Sequence, residues 1–394
     1  MTTFRPPALL HMERYRPPLE ERFCTAERPV KYTKSITTFI VAALAVTACS
    51  SGSNSESTAL TTPTAESTVP AATAATTSTA ATSTSAAAST TTSTTIPADP
   101  VMPLTGLPIA DPALAGRPAL VVKIDNHPEA RPQSGLNQAD IVFEENVEQL
   151  TRFAAVFQTT APDPVGPIRS GREQDVELLG SLNKPIFAWS GGNPGVTAAI
   201  NGSDFVVANV QTNARNASQS YRSRDRGVPH NLYAQGSGLF TMTPAFAGPP
   251  PQQFSYLKAG AAPVGIPSGG VDVAMDGVSV TWKYSAKSNS YLRFQSGKAH
   301  NDAGLGQVDS SNVVVLVVDY VQSAIYAPSP IAQTIGTGEV YVFTGGTVVH
   351  GKWSRDDRLK PFTFTADDGT PMLLTPGRTW VELARVDSTT LLGA

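Results

Sequence analysis

Ala119-Leu120-Val121-Val122-Lys123-Ile124-Asp125-Asn126-His127-Pro128 is the stretch on which the fold turns. Its first half is a continuous apolar run of strand length, interrupted only by Lys123, which reads as a buried strand. Its second half is abruptly polar, and polar residues at the end of a buried strand are where α/β sheets build sites. Asp125 and His127 are two positions apart, so on extended backbone they face the same side. That spacing suits an acid–base pair or two metal ligands. It equally suits a turn in which Asp125 and Asn126 bond their own backbone.

Downstream, Ala139 to Glu145 and Phe153 to Gln158 read as two further strands. Arg172 to Leu182 has helical spacing, with Val176, Leu178, Leu179 and Leu182 apolar. Pro185 to Trp189 is a short buried strand, and Gly195 to Ile200 opens a second helix. Strand and helix intermix, which predicts a layered mixed α/β domain over 101–246. The Pro/Gly-rich stretch 247–270 marks a boundary. Beyond it strands dominate: Val271–Met275, Val278–Tyr284, Ser290–Phe294, Val313–Asp319, Glu339–Phe343, Val348–Trp353 and Thr379–Leu383. Asp276-Gly277 and Asp368-Gly369 are hairpin-turn pairs. The fold class expected is therefore α+β, with a mostly β domain over 271–394.

Three polar constellations accompany Asp125. Gly166-Pro167-Ile168-Arg169-Ser170-Gly171-Arg172 places Ser170 as an N-cap and two arginines at a helix start, an arrangement suited to anions. Arg131, and Arg152 between two strands, add further guanidinium groups. Pro229-His230-Asn231 brings the second histidine of the first domain. His127 or His230 could serve as general base beside Asp125 or Glu144. No local metal-ligand spacing such as His-x-x-x-His is present, and neither a metal nor a cofactor is expected. Ser190, in Trp189-Ser190-Gly191-Gly192, lacks the first glycine of a nucleophile elbow. In the second domain Tyr291, Arg293, Gly297, His300 and Asp302 form a polar stretch between strands.

The N-terminal hundred residues carry an address. Lys31-Tyr32-Thr33-Lys34 precedes a charge-free run from Ser35 to Ala48 that contains Phe39-Ile40-Val41-Ala42-Ala43-Leu44. The run is short for a membrane span and fits the apolar core of a signal peptide. It ends in Val46-Thr47-Ala48-Cys49, which resembles a bacterial lipobox with Cys49 as the lipidated residue. Residues 1–48 are then a signal segment, with Met1 and Met12 both candidate starts. Residues 49–100 form a tether, and from Ala71 to Thr95 only Ser, Thr and Ala occur. Such a composition cannot bury enough apolar surface to order itself. Fully extended, about 50 residues reach about 170 Å, enough to lift a folded body from the membrane into the cell wall.

The 394 residues carry 15% charged residues, a net charge of −3 and two cysteines. That balance lacks the basic footprint of a nucleic-acid partner. With Cys24 inside the signal segment and Cys49 lipidated, the exported body has no free thiol, which excludes thiol catalysis and suits an oxidising exterior.

Taken in order, Pro103-Leu104-Thr105-Gly106-Leu107-Pro108, Ile124-Asp125-Asn126-His127-Pro128, Arg131-Pro132-Gln133-Ser134-Gly135, Gln138-Ala139-Asp140-Ile141-Val142, Thr151-Arg152-Phe153, Gly166-Pro167-Ile168-Arg169-Ser170 and Pro229-His230-Asn231-Leu232-Tyr233 resemble the YerB-like bacterial lipoproteins. Their N-terminal domain is classed as DUF3048, and Gly351-Lys352-Trp353 with Pro376-Gly377-Arg378-Thr379-Trp380 resembles its C-terminal companion. The resemblance implies a two-domain surface lipoprotein and supplies no catalytic residue. The expectation is an extracytoplasmic protein, lipid-anchored through Cys49 to the outer face of the cell membrane. It would bind an anionic or glycan cell-wall ligand through Arg131, Arg152, Arg169, Ser170, Arg172 and Asn231, and an envelope protein is a further candidate partner. The alternative is an envelope hydrolase or transferase using His127 or His230.

Overall fold

The structure, a computed structural model, describes residues 100–394 apart from 211–218 and 245. The signal segment, Cys49 and the tether up to residue 99 lie outside the described residues. No helix among the described residues is long and apolar enough to cross a membrane.

The opening apolar run is strand β1 (Leu120–Asp125), with every residue buried. β2 (Ile141–Asn146) and β3 (Thr151–Phe157) form an antiparallel pair, and β1 pairs antiparallel with β3. β4 (Ile186–Trp189) and β5 (Val206–Asn209) continue the sheet in parallel beyond β1. The short antiparallel pair β6 (Ser220–Arg222) and β7 (Leu232–Ala234) follows.

In the second half, β8 (Gly270–Met275), β9 (Val278–Ser285) and β10 (Ser290–Gln295) form a meander. The predicted Asp276-Gly277 turn joins β8 to β9, with Gly277 at φ 70°, a conformation open to glycine at little cost. Then come β11 (Asn312–Val317), β12 (Gly336–Thr344), β13 (Thr347–Arg355), β14 (Thr363–Ala366), β15 (Thr379–Ala384) and β16 (Thr389–Leu392).

An 11-stranded sheet runs in the order β14-β13-β12-β11-β15-β2-β3-β1-β4-β5, with Ile266–Pro267 pairing on β13. β15 lies parallel to both β11 and β2. The chain on either side of 247–270 therefore shares one sheet, and the described residues fall in a single compact unit. A smaller sheet of β10, β9, β8 and β16 covers one face, contributing Val271, Val280, Trp282 and Tyr291 to the core around Ile124, Phe153 and Trp380. The opposite face carries Val121, Phe143 and Ala154 against Leu178, Leu182, Val196 and Ile200. Covering on both faces is why β1, β2 and β3 read as near-continuous apolar runs.

The architecture is sheet-rich with few helices. The α-helices α1 (Pro112–Gly116), α2 (Gln174–Leu178), α3 (Pro194–Asn201) and α4 (Gly236–Phe240) are all short. The helical spacing over Arg172–Leu182 yields only five α-helical residues and a 3-10 turn at Gly180–Leu182. Ser170 is not its N-cap: α2 starts four residues later, and Asp175 instead accepts the Arg172 backbone N–H at 2.6 Å. α3 matches its sequence signal, with Asn193 accepting from the Val196 N–H and Pro194 at its first position.

Candidate functional site

β1 has two successive neighbours along one edge. β4 pairs with Leu120–Val122, and beyond it the segment around Pro167 takes over. Asp125 donates its N–H to the Pro167 carbonyl, and Arg169 donates to that of Lys123. The far side of the same segment meets β7, since Ile168 donates to the Leu232 carbonyl. Three backbone segments thus lie side by side at the carboxyl end of β1, and each delivers one side chain to one spot.

Asp125 is the centre of that spot. His230 Nδ1 lies 2.6 Å from its Oδ2, and the His127 backbone N–H donates to its Oδ1 at 3.0 Å. Arg169 Nε lies 3.1 Å from Oδ2, an ion pair whose N–H is not aimed along the contact. The carboxylate accepts from His230, so the proton sits on Nδ1 and a neutral ring leaves Nε2 with its lone pair. His230 Nε2 lies 3.8 Å from Glu129 Oε2. The His127 and His230 rings stack with centroids 4.2 Å apart and 14° between planes. His127 Nδ1 is occupied by the Glu129 N–H at 3.2 Å.

Asp125, His127, Arg169 and His230 therefore converge. Glu144 does not join them. The register pairs Asp125 with Arg152 and Arg152 with Glu145, so this row shares one face of the sheet. Glu144, one residue earlier, points to the opposite face, where it accepts from Arg293 at 2.6 Å and from Thr151 at 2.7 Å. Glu145 occupies the Asp125 face, sharing Lys123 with Asp175 at 2.5 and 2.6 Å. Burial and the neighbouring Asp175 push the Glu145 carboxyl up to about 7, against the pull of Lys123.

The arginines have separate duties. Arg152 is buried and donates to the Ser170 carbonyl at 2.8 Å. Burial, with Arg172 and Arg169 nearby, brings its guanidinium down to about 9. Arg172 pairs with Glu148 at 2.5 Å and donates to the Gly171 carbonyl. Arg131 holds the side chain and carbonyl of Asn126. Among the described residues, the two terminal nitrogens of Arg169 meet no hydrogen-bond partner. The Asn231 amide is fully engaged, accepting from Arg222 and donating to the carbonyls of Ser223 and Arg226. Ser170 Oγ donates to the Ser190 carbonyl at 3.3 Å.

Two contributors were not legible in the sequence. Glu129 reaches the site because it stands two residues beyond His127 on the 3-10 turn Pro128–Ala130. His300, from the second half, reaches the same neighbourhood through Gln133: its Nε2 lies 2.8 Å from Gln133 Oε1, and Gln133 Nε2 donates to the Asp125 carbonyl. Burial, with Arg293 and Arg131 adding to it, holds the His300 imidazole well below its usual range, so it stays neutral.

The family described as "Protein of unknown function (DUF3048) N-terminal domain" matches residues 104–248, and its C-terminal domain matches 271–381.

The chain belongs to the DUF3048 family.

The resemblance carried by the motifs around Asp125, Arg169 and His230 is thereby borne out. A relative described as "Putative lipoprotein YerB", from Bacillus subtilis (strain 168), is 30% identical over 299 residues, 71% of this chain and 85% of its own. The crystal structure of YerB protein from Bacillus subtilis aligns with a TM-score of 0.65 at 25% identity, covering 74% of this chain and 99% of that one. Asp125, His127, Glu129, Arg169 and His230 all fall within the DUF3048 N-terminal match, whereas Arg293 and His300 fall within the C-terminal one.

Proposed function

We propose that the protein is an exported lipoprotein, tethered through Cys49 to the outer face of the cell membrane, that binds an anionic group of a cell-envelope polymer at the carboxyl end of β1. The printed name of the Bacillus subtilis relative supports the lipoprotein reading, together with the order of basic flank, apolar run and Cys49. The observation that carries the binding reading is Arg169. Its terminal nitrogens are open among the described residues while its Nε pairs with Asp125, whereas Arg131, Arg152 and Arg172 donate to protein oxygens. A planar guanidinium with two unengaged nitrogens takes a carboxylate or phosphate in a bidentate grip. A cleft of about 500 Å³ opens from Ser170, the next residue along, lined also by Arg172, Gly191, Asn193 and Tyr326.

The test is sedimentation of the purified chain with isolated cell-wall fragments. Wild type is expected to co-sediment and Arg169→Ala to stay in solution with unchanged circular dichroism. Equal sedimentation of both proteins would reject the Arg169 assignment. For the anchor, labelled palmitate should enter the wild-type protein and not Cys49→Ala.

One contact favours a second reading. Asp125 engages His230 through Nδ1 and leaves Nε2 3.8 Å from the Glu129 carboxylate, the arrangement of an imidazole general base oriented by a carboxylate. An envelope hydrolase or transferase would use it so, and turnover of wall glycan that vanishes in His230→Ala would support that reading over simple binding.

A further inference from the structure

His127, Glu129 and His230 each offer one donor atom, and the three atoms lie within 4.8 Å of one another. Among the described residues no other group of three His, Cys, Asp or Glu side chains meets so closely. We propose that these three side chains form a site for a divalent transition-metal ion of the zinc class, with Asp125 as the buried carboxylate that orients His230.

The donor chemistry is suitable: two imidazoles and a carboxylate suit a borderline cation, and three protein ligands leave a coordination position open for water or a ligand. The spacing is close to what such an ion needs. Bonds of about 2.1 Å at tetrahedral angles set donors about 3.4 Å apart, and Glu129 Oε2 already stands 3.8 Å from His230 Nε2. The outer contacts are those of a ligating histidine, which gives its second ring N–H to a carboxylate. His230 does this with Asp125, and Asp125 is held in turn by the His127 N–H and Arg169. His127 Nδ1 is engaged by the Glu129 N–H, which assigns its Nε2 to the ion.

The elements also divide into fixed and adjustable. Asp125 and His230 are buried, whereas His127 is half-buried and the Glu129 side chain is 70% exposed. The two rings stack nearly parallel, 14° between planes. The partial exposure of His127 leaves its ring room to adjust around an ion. The metal donors are different atoms from the Arg169 nitrogens of the anion reading, although Arg169 contacts the same Asp125.

Cobalt(II), titrated into the full chain after chelator dialysis, is the probe. We expect one equivalent to bind with visible ligand-field absorption, and zinc to displace it. Glu129→Gln, at an exposed position, should weaken binding at least about tenfold, and Asp125→Asn about 10–100-fold. His230→Ala should abolish it. His350→Ala, which removes a histidine of the surface pair with Asp367, should bind as wild type does. Absence of stoichiometric binding to the wild-type chain would overturn the proposal, as would binding that survives both Glu129→Gln and His230→Ala. Wall sedimentation of Arg169→Ala reads the anion site alone, so either idea can fail without the other.

Discussion

His230 Nδ1 and Asp125 Oδ2 meet at 2.6 Å although 105 residues of chain separate them. The contact closes the end of β1 against the turn that precedes β7, and both the general-base reading and the metal site depend on it. Asp125 engages His230 and the His127 N–H and pairs with Arg169 at once, so its removal should be costly.

Asp125→Ala leaves Arg169 without its ion-pair partner and the buried His230 Nδ1–H without an acceptor. Breaking a buried pair of this kind costs about 3–5 kcal/mol, and the partial exposure of Arg169 places the expectation at the lower end. Asp125→Asn retains an acceptor oxygen and should lose less. Urea unfolding midpoints at constant slope give the comparison, and an Asp125→Ala midpoint equal to wild type would contradict the arrangement.

Arg152 and Arg169 should behave oppositely, although both are arginines beside Asp125. Arg152→Ala removes a buried donor to the Ser170 carbonyl and should cost about 2 kcal/mol with little specific effect on wall binding. Arg169→Ala should cost about 1 kcal/mol or less while abolishing sedimentation with wall fragments. A single protocol, thermal melting followed by sedimentation, separates the two roles.

Glu145 predicts a pH effect of definite sign. Its folded-state carboxyl is raised to about 7 while the unfolded one ionises near the ordinary value of about 4.3. Between these limits the folded chain holds the extra proton, so this group's contribution to stability is full at low pH and is lost as pH rises through about 7. Glu145→Gln should therefore flatten the stability profile between about pH 4 and pH 7. Melting temperatures across that range would show it; a variant profile parallel to wild type would count against the assignment.

Arg293 ties the smaller sheet to β2 and β15 of the large one. Fully buried, it pairs with Glu144 from β2 at 2.6 Å, and its guanidinium lies 5.1 Å from the Trp380 ring centroid. Glu382 lies opposite Glu144 in the register, and burial with that like-charged neighbour holds the Glu382 carboxyl well above its usual range. Arg293→Met should cost about 3–5 kcal/mol by stranding Glu144. Adding Glu144→Gln should recover part of the loss, and a double-mutant cycle measures the coupling. Strict additivity would show that the pair does not interact.

Much of the local structure was legible. The apolar runs at 119–124, 185–189, 271–275 and 313–319 became strands because strand length and apolar content are local properties. Asp276-Gly277 became a turn because glycine tolerates the positive φ that a tight hairpin requires. The helix expected over Arg172–Leu182 shrank to five residues followed by a 3-10 turn at Gly180–Leu182. Its apolar residues still face the core, so the spacing reported burial correctly and helix length poorly.

The sequence by itself determined most of the strands, though not β5, β6, β7, β14 or β16, together with the family and the set of polar residues from which a site could be drawn. Tertiary structure alone decided which of them meet. Glu144 and Glu145 are indistinguishable in the chain, yet the pleat sends one to Arg293 and the other to Lys123, and that choice depends on register with β3. The same holds for β15, whose insertion between β11 and β2 merges both halves into one sheet. Strand pairing is non-local: a run of apolar residues specifies that it will be covered, not which neighbour will cover it.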